Sequence, residues 1–332
     1  MGNFIKRIKT PLICVLLACC VTITFVFAYP SLNAQSWHKA PAQSGILRLW
    51  HIDSFEGGTG SRASFLSSAA KEFETKYGWY VLVTAHCPES AKTAISEGSV
   101  PDMISFGTYF DAAADYVLPL DGYEFNASSI NGKTYAVPWC RGNYFLFGQQ
   151  GSFSEISENN TVISKGGNAL VQAAAYFYGL SGEICSEPSV RAYVDLVNGK
   201  YKFMIGTQRD IYRFRTRNFN VDAQPINTFN DLWQYIGVCS SDPAVYSACQ
   251  DFIYYLLSEK TQKKLNKIGM FSAFFDIYGP SDGIMDKAEG TMPQHTVSAW
   301  LSEDGQNTLK SLALDALSGD KNGGKNFEKF LQ

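Results

Sequence analysis

Metal-binding and redox motifs are largely missing from this chain. The 332 residues include four histidines and eight cysteines. The histidines never recur at the spacing of metal ligands on a helix, and the cysteines form no CxxC pair. A cysteine-ligated zinc site is therefore not expected. Five cysteines follow the first 34 residues, and this odd number without close spacing argues against a disulfide scaffold.

Charge is also sparse, at 18% of residues against 45% hydrophobic residues. Beyond residue 34 there are 25 basic and 31 acidic residues, a net charge of −6. No basic run alternates with aromatic residues there, so nucleic acid is not an expected partner. The composition is that of a globular protein, and the length allows two lobes, each with its own core.

The first segment predicts export across a membrane. Lys6, Arg7 and Lys9 precede residues 11–28, an uncharged, largely apolar run of 18 residues. The run can remain as a membrane anchor, or be cleaved near Ala34 as a signal peptide, or carry a lipid at Cys19. Residues 1–34 are thus a signal or anchor, and residues 35–45 are a linker.

The following residues alternate between strand and helix patterns. Strands are predicted at residues 46–52, 79–84 and 102–106, with helices between them. This βαβ order is typical of a parallel, doubly wound α/β sheet. Another strand is expected at residues 232–238. Asp242 and Pro243 are an expected N-cap and first residue of an amphipathic helix.

Four segments occur in an order that resembles a known family. They are GSVPDMISFG at residues 98–107, YAVPW at 135–139, GKYKFMIGTQRD at 199–210, and the helices from Asp242 to Gly269. Over residues 46–332 the chain resembles the extracellular solute-binding proteins of ABC importers, in the group whose better-known members bind sugars.

The resemblance implies a type II periplasmic-binding-protein-like fold, with two α/β lobes that are each a doubly wound sheet flanked by helices. We expect residues 46–138 and 239–278 in lobe 1, and residues 139–238 and 279–332 in lobe 2. The implied function is capture of a small solute, a carbohydrate or an acidic or modified sugar, for delivery to an ABC transporter permease. A monomer without cofactor or catalytic residues is expected. An exported carbohydrate-active enzyme and a degenerate binding protein used as a sensor are the alternatives.

The expected ligand-binding residues lie at strand ends and at the crossing between the lobes, where ligands meet such sheets. They are Asp53, Glu56, Arg62, Thr108, Tyr109, Trp139, Arg141, Gln208 and Arg209. The glycine-rich turn beside Glu56 allows close backbone approach to a ligand. Guanidinium groups suit anionic partners, so the three arginines favour an acidic or acceptor-rich ligand. Each of these residues also has an ordinary structural alternative in the core or in a surface ion pair.

Overall fold

The computed structural model describes residues 45–55, 57–149, 153–290, 293–320 and 322–331. The predicted signal or anchor, most of the linker and Glu56 lie outside these residues. The strands are β1 (Ile46–Ile52), β2 (Tyr80–His86), β3 (Met103–Gly107), β4 (Ser129–Ile130), β5 (Lys133–Thr134), β6 (Val137–Arg141), β7 (Tyr144–Gly148), β8 (Thr161–Lys165), β9 (Cys185–Pro188), β10 (Phe203–Thr207), β11 (Asp222–Ile226), β12 (Phe229–Asn230), β13 (Trp233–Val238) and β14 (His295–Thr296). The α-helices are α1 (Arg62–Tyr77), α2 (Pro88–Ser96), α3 (Val171–Phe177), α4 (Ser189–Val197), α5 (Gln208–Thr216), α6 (Pro243–Leu256), α7 (Glu259–Gln262), α8 (Gly283–Glu289), α9 (Glu303–Ser318) and α10 (Gly323–Phe330).

The first sheet has the strand order β2-β1-β3-β13-β6. Strands β2, β1 and β3 are parallel, which confirms the predicted βαβ order, whereas β13 runs antiparallel to both β3 and β6. Pro138 lies in β6, an edge strand, where a missing backbone N–H costs no ladder hydrogen bond.

The second sheet has the order β11-β7-β10-β8-β9. Its β10, β8 and β9 are parallel, and β7 pairs antiparallel with both β10 and β11. In each of the strands β6, β7 and β10 all five residues are buried, as expected for strands covered on both faces.

Local signals set the ends of the main helices. Ser61 caps α1 by accepting a hydrogen bond from the N–H of Ser64, and Gly78 ends it in the left-handed conformation. Asp242 accepts the N–H groups of Ala244 and Val245 at the start of α6, as predicted. Within the helices expected from Asp242 to Gly269, α7 is followed by a tighter 3-10 helix, Lys263–Ile268.

Three chain segments cross side by side between the two sheets. Arg141 and Phe271 exchange backbone hydrogen bonds of 2.9 and 3.0 Å, and the N–H of Gly142 donates to the carbonyl of Leu232 at 2.7 Å. The Leu232 segment is tied a second time through Asn230, whose side chain donates to the carbonyl of Gly142 at 2.9 Å. These segments position the edges of the two sheets that face each other.

The sheets differ from the predicted lobe boundaries at both crossings. Residues 139–141 of β6 and the whole of β13 belong to the first sheet, although residues 139–238 are predicted in lobe 2. The physical reason is that both strands join the first sheet as antiparallel additions, β6 before the chain crosses to the second sheet and β13 after the chain has crossed back. The remaining division into lobes stays a prediction.

Candidate functional site: the cleft between the sheets

The carboxyl ends of strands from the two sheets meet across a nearly closed cleft. Phe55, in the turn after β1, is 7% exposed and faces residues of the second sheet. The cavity between them is about 10 Å³, enough for roughly one water molecule. It is lined by Phe55, Ser164, Gly166, Ala169, Ser189, Thr207, Asp210 and Leu232. A solute enters this site only if the cleft opens.

The second-sheet wall of the cleft carries hydroxyl and carboxylate groups. Thr207 and Asp210 form a capping box at the start of α5, in which the backbone N–H of Thr207 donates to the Asp210 carboxylate at 3.1 Å. Arg213 also pairs with Asp210 at 2.7 Å. These contacts hold the strand-end side chains in fixed positions, as a preformed binding wall requires.

Arg62 lies on the first-sheet side, in contact with Asp53 and Phe55. Its Nε donates to Asp53 at 2.9 Å and its Nη2 donates to the carbonyl of Phe55 at 2.5 Å. The guanidinium carbon lies 4.0 Å from the centroid of the Phe55 ring, a cation–π distance. The Nη1 group has no hydrogen-bond partner among the described residues. The negative charge of Asp53 thus balances the positive charge of Arg62 within the protein.

The pKa values of Asp53 and its neighbour His51 move in ways that fix their charges. Burial works against ionisation of Asp53, but the hydrogen bond from His51 and the charge of Arg62 outweigh it and hold the pKa of Asp53 well below its usual range. Burial lowers the pKa of His51 despite the hydrogen bond with Asp53. Asp53 is therefore ionised and His51 neutral at pH 7.

Ser105, His51 and Asp53 form a hydrogen-bond chain with the order of a hydrolytic triad. The His51 ring lies 3.1 Å from Ser105 Oγ through Nδ1 and 2.9 Å from Asp53 through Nε2. However, Ser105 Oγ also accepts hydrogen bonds from Trp139 Nε1 at 3.0 Å and Gln234 Nε2 at 3.2 Å. Its lone pairs are engaged and its side chain is fully buried, so this serine is not placed to attack a substrate.

A second serine lies in a GxSxG sequence at residues 279–283, the pattern of a nucleophile elbow. Ser281 is exposed and sits in the 3-10 helix Pro280–Asp282. The elbow of hydrolases joins a strand to a helix, whereas the described residues just before this segment, 276–279, form no strand. The pattern therefore lacks the structural context of that motif.

Arg141 lies at the end of a helix. Its Nη2 donates to the carbonyls of Ala288 and Glu289 at the C-terminus of α8, at 3.3 and 3.2 Å. Its guanidinium carbon is 5.2 Å from the centroid of the Phe271 ring. Burial lowers the pKa of Arg141 to about 10, and nearby Glu289 counteracts this. A cation suits the partial negative charge at a helix C-terminus, so these contacts give Arg141 a capping role.

Tyr109 is held by a buried carboxylate at the crossing. Its hydroxyl donates to Asp231 at 2.9 Å, and the hydroxyl of Tyr144 donates to the same carboxylate at 2.5 Å. The backbone N–H of Leu170 adds a third hydrogen bond at 3.1 Å. Burial raises the pKa of Asp231, and the three hydrogen bonds oppose this shift. This cluster joins the end of β3 to β7 and to the start of α3.

The other predicted residues lie close to the crossing. Trp139 is fully buried and stacks on Phe65 at 5.6 Å between centroids. Gln208 is buried and accepts the N–H of Asn143 at 2.9 Å. Thr108 is buried, and its hydroxyl has no hydrogen-bond partner among the described residues. Arg209 is half-buried in the first turn of α5.

The glycine-rich turn is covered by the chain itself. The N–H groups of Thr59 and Gly60 donate to the carbonyl of Ile268, at 2.9 and 3.4 Å. A Cβ atom at Gly58 would lie 2.3 Å from the same carbonyl oxygen, so only glycine allows this approach. The sequence predicted that a ligand would closely approach the backbone of this turn. In the structure the carbonyl of Ile268 occupies that position.

Several cleft residues were missing from the sequence prediction. Phe55 and Thr207 follow or end predicted strands, and this position at a strand end was the sequence signal that could have identified them as cleft residues. Asp210 follows Thr207 at capping-box spacing. Asp231 carried no motif, because its partners come from distant parts of the sequence.

Comparison with solved structures shows the same architecture. The GacH receptor of Streptomyces glaucescens, solved unliganded and with acarbose, matches with a TM-score of 0.56 and 18% identity over 87% of this chain and 99% of that chain. The fold is that of type II periplasmic binding proteins. Two further solved structures have this solute-binding fold. The maltodextrin binding protein MalE1 of L. casei matches at a TM-score of 0.57 and 12% identity, over 87% of this chain and 96% of that chain. Iron-bound HitA of Pseudomonas aeruginosa matches with a TM-score of 0.53 and 14% identity, over 81% of this chain and 99% of that chain.

These similarities concern the fold. No protein-family profile and no curated protein matches the sequence. Within the described residues, no group of three or more His, Cys, Asp or Glu side chains lies together in a way that could hold a metal ion. None of the helices in the described ranges is long and apolar enough to span a membrane.

Proposed function

We propose that the protein binds a small carbohydrate between its two sheets, outside the cytoplasmic membrane, and delivers it to an ABC transporter permease. The observation that carries the proposal is the pairing of Phe55 with the hydroxyl and carboxylate groups of Ser164, Thr207 and Asp210 across the cleft. An aromatic ring packs against the C–H face of a sugar, while hydroxyl and carboxylate groups bond its hydroxyls.

The solved structures support this choice. GacH was solved with acarbose and an acarbose homologue, and MalE1 is a maltodextrin binding protein. Because iron-bound HitA has the same fold, the fold alone does not choose the ligand, and the aromatic and hydroxyl chemistry of the cleft carries the choice.

The contacts of the arginines do not favour the acidic ligand that the sequence suggested. Asp53 matches the charge of Arg62, and Arg141 donates to the carbonyls of α8. Arg209 remains a predicted contact. We therefore propose a hydroxyl-rich, neutral carbohydrate as the solute, which enters when the cleft opens and is enclosed when it closes.

A panel of oligosaccharides tests this function. At a sugar concentration of about 100 times Kd, binding to the folded state adds about 2.7 kcal/mol to the free energy of unfolding. We expect at least one neutral oligosaccharide, from malto-, cello- and xylo-oligosaccharide series, to raise the thermal unfolding midpoint of the purified protein. Uronic acid oligosaccharides of equal length serve as the charged control.

Two results would contradict the proposal. One is an unchanged unfolding midpoint with every sugar, combined with native mass spectrometry that detects no retained sugar in freshly purified protein. The other is a midpoint that rises only with the uronic acids, which would restore the acidic ligand in place of the neutral one.

A further inference from the structure

Away from the cleft, helix α1 borders a long surface depression. Two adjoining hollows of about 300 and 620 Å³ lie between α1 and residues 254–268, and both contact Glu72. We name the two hollows together the basic groove. Lys264 and Lys267 line the first hollow, and Lys76, Lys260 and Tyr254 line the second.

The charge of the basic groove is opposite to that of the rest of the protein. Together, α1 and residues 258–268 hold six lysines against three glutamates, apart from the buried Arg62. Ion pairs join Lys263 to Glu259 at 2.7 Å and Lys264 to Glu72 at 2.5 Å. Within the described part of the chain, Lys76, Lys260 and Lys267 have no carboxylate within salt-bridge distance. A positive face on a chain with a net charge of −6 beyond residue 34 favours an anionic partner.

Tyrosines border the lysines in the second hollow. Tyr254 is 56% exposed, and Tyr77 and Tyr255 line the same hollow. Lys76 Nζ lies 4.9 Å from the centroid of the Tyr77 ring. Tyrosine rings beside lysines are typical of surfaces at the membrane–water interface, where ring and ammonium both contact the headgroup region.

The described domain begins next to this groove. The carbonyl of Gly45 accepts the N–H of Tyr80 at 3.0 Å, and a Cβ atom at Gly45 would lie 2.3 Å from the Trp79 ring. Trp79 follows the end of α1, two residues after Tyr77. The described residues therefore begin on the side of the domain that carries the basic groove.

We propose that the basic groove docks on the anionic phospholipid headgroups of the membrane. Lysines near an anionic bilayer surface are attracted by its negative potential, and the interaction fades within a Debye length. Docking would orient the domain on the bilayer. It does not depend on which solute the cleft binds.

Lysine footprinting of the full-length protein tests the docking. The protein is reconstituted into vesicles of phosphatidylcholine alone or with one part in three of phosphatidylglycerol, and acetylation is followed by mass spectrometry. With the anionic lipid we expect acetylation to slow at least about threefold at Lys76, Lys260 and Lys267, which line the basic groove, and at Lys71, an exposed residue of α1, since each lysine is attracted by the surface potential. Lys325 and Lys329 on α10 should react equally in both vesicles.

Variants separate docking from other causes. The triple variant Lys76→Glu, Lys260→Glu, Lys267→Glu should lower the ratio of docked to undocked protein on the order of a hundredfold or more, so that Lys71 loses its protection. A matched control, Lys310→Glu, Lys325→Glu, Lys329→Glu, makes the same number of charge reversals on α9 and α10. In this control Lys71 should remain protected from acetylation.

Three outcomes would overturn the proposal. They are equal acetylation in the two kinds of vesicle, protection that survives in the groove variant, and protection by soluble glycerol phosphate in neutral vesicles. The last result would indicate a site for a free anion in place of a lipid surface.

Discussion

Replacing Asp231 by leucine is expected to destabilise the protein by at least about 3 kcal/mol. The carboxylate accepts hydrogen bonds from Tyr109, Tyr144 and the N–H of Leu170, and it is fully buried. Leucine has a similar volume but no acceptor, so three buried donors lose their partner, and each such loss costs about 1–3 kcal/mol. Urea-induced unfolding measures the change.

A matched variant distinguishes lost hydrogen bonds from poor packing. In the triple variant Asp231→Leu, Tyr109→Phe, Tyr144→Phe, two of the three donors are removed with the acceptor, so we expect it to be more stable than Asp231→Leu alone. If Asp231→Leu were as stable as the wild type, or if the triple variant recovered nothing, the assigned role of Asp231 would be wrong.

The pH dependence gives a second check on Asp231. Because burial raises its folded-state pKa, the folded protein binds a proton more readily than the unfolded chain. This group therefore adds stability as the pH falls toward its unfolded pKa near 4. Asp231→Asn keeps the shape but cannot titrate, so its stability relative to wild type should decrease as the pH falls from 7 toward 4.

Replacing Phe55 by alanine is expected to weaken binding of the solute about thirtyfold, or about 2 kcal/mol. Phe55 is the aromatic side chain on the first-sheet side of the cleft cavity, opposite Thr207 and Asp210. Alanine removes the surface that the proposed sugar would pack against. Titration calorimetry with a sugar identified in the oligosaccharide panel measures the loss.

Conservative replacements at the same position are the control. Phe55→Tyr and Phe55→Trp keep an aromatic face and should retain most of the affinity, whereas Phe55→Leu should behave more like alanine. Wild-type affinity in Phe55→Ala would place the sugar elsewhere.

Local sequence patterns predicted much of the fold, because they act between residues close in the chain. The buried face of α1, which contains Phe65, Leu66 and Phe73, follows helical spacing. The cap at Asp242 was also visible in the sequence. The family resemblance supplied the two-lobed arrangement, which the solved structures confirm.

The contacts that define the cleft depend on distant residues and could not be predicted. Tyr109 and Asp231 are 122 positions apart, and Arg141 donates to a carbonyl 148 positions away. Sequence spacing places such residues at strand ends but does not show what they face. For this reason the three arginines were expected to share a ligand, whereas Arg62 and Arg141 have separate partners in the protein.

A crystal structure of the protein with the sugar that binds in the panel would locate the bound sugar directly. We predict sugar density between Phe55 and the side chains of Thr207 and Asp210, in a cleft opened well beyond its present cavity of about 10 Å³. Sugar density outside the cleft, with Phe55 still packed against the second sheet, would contradict it.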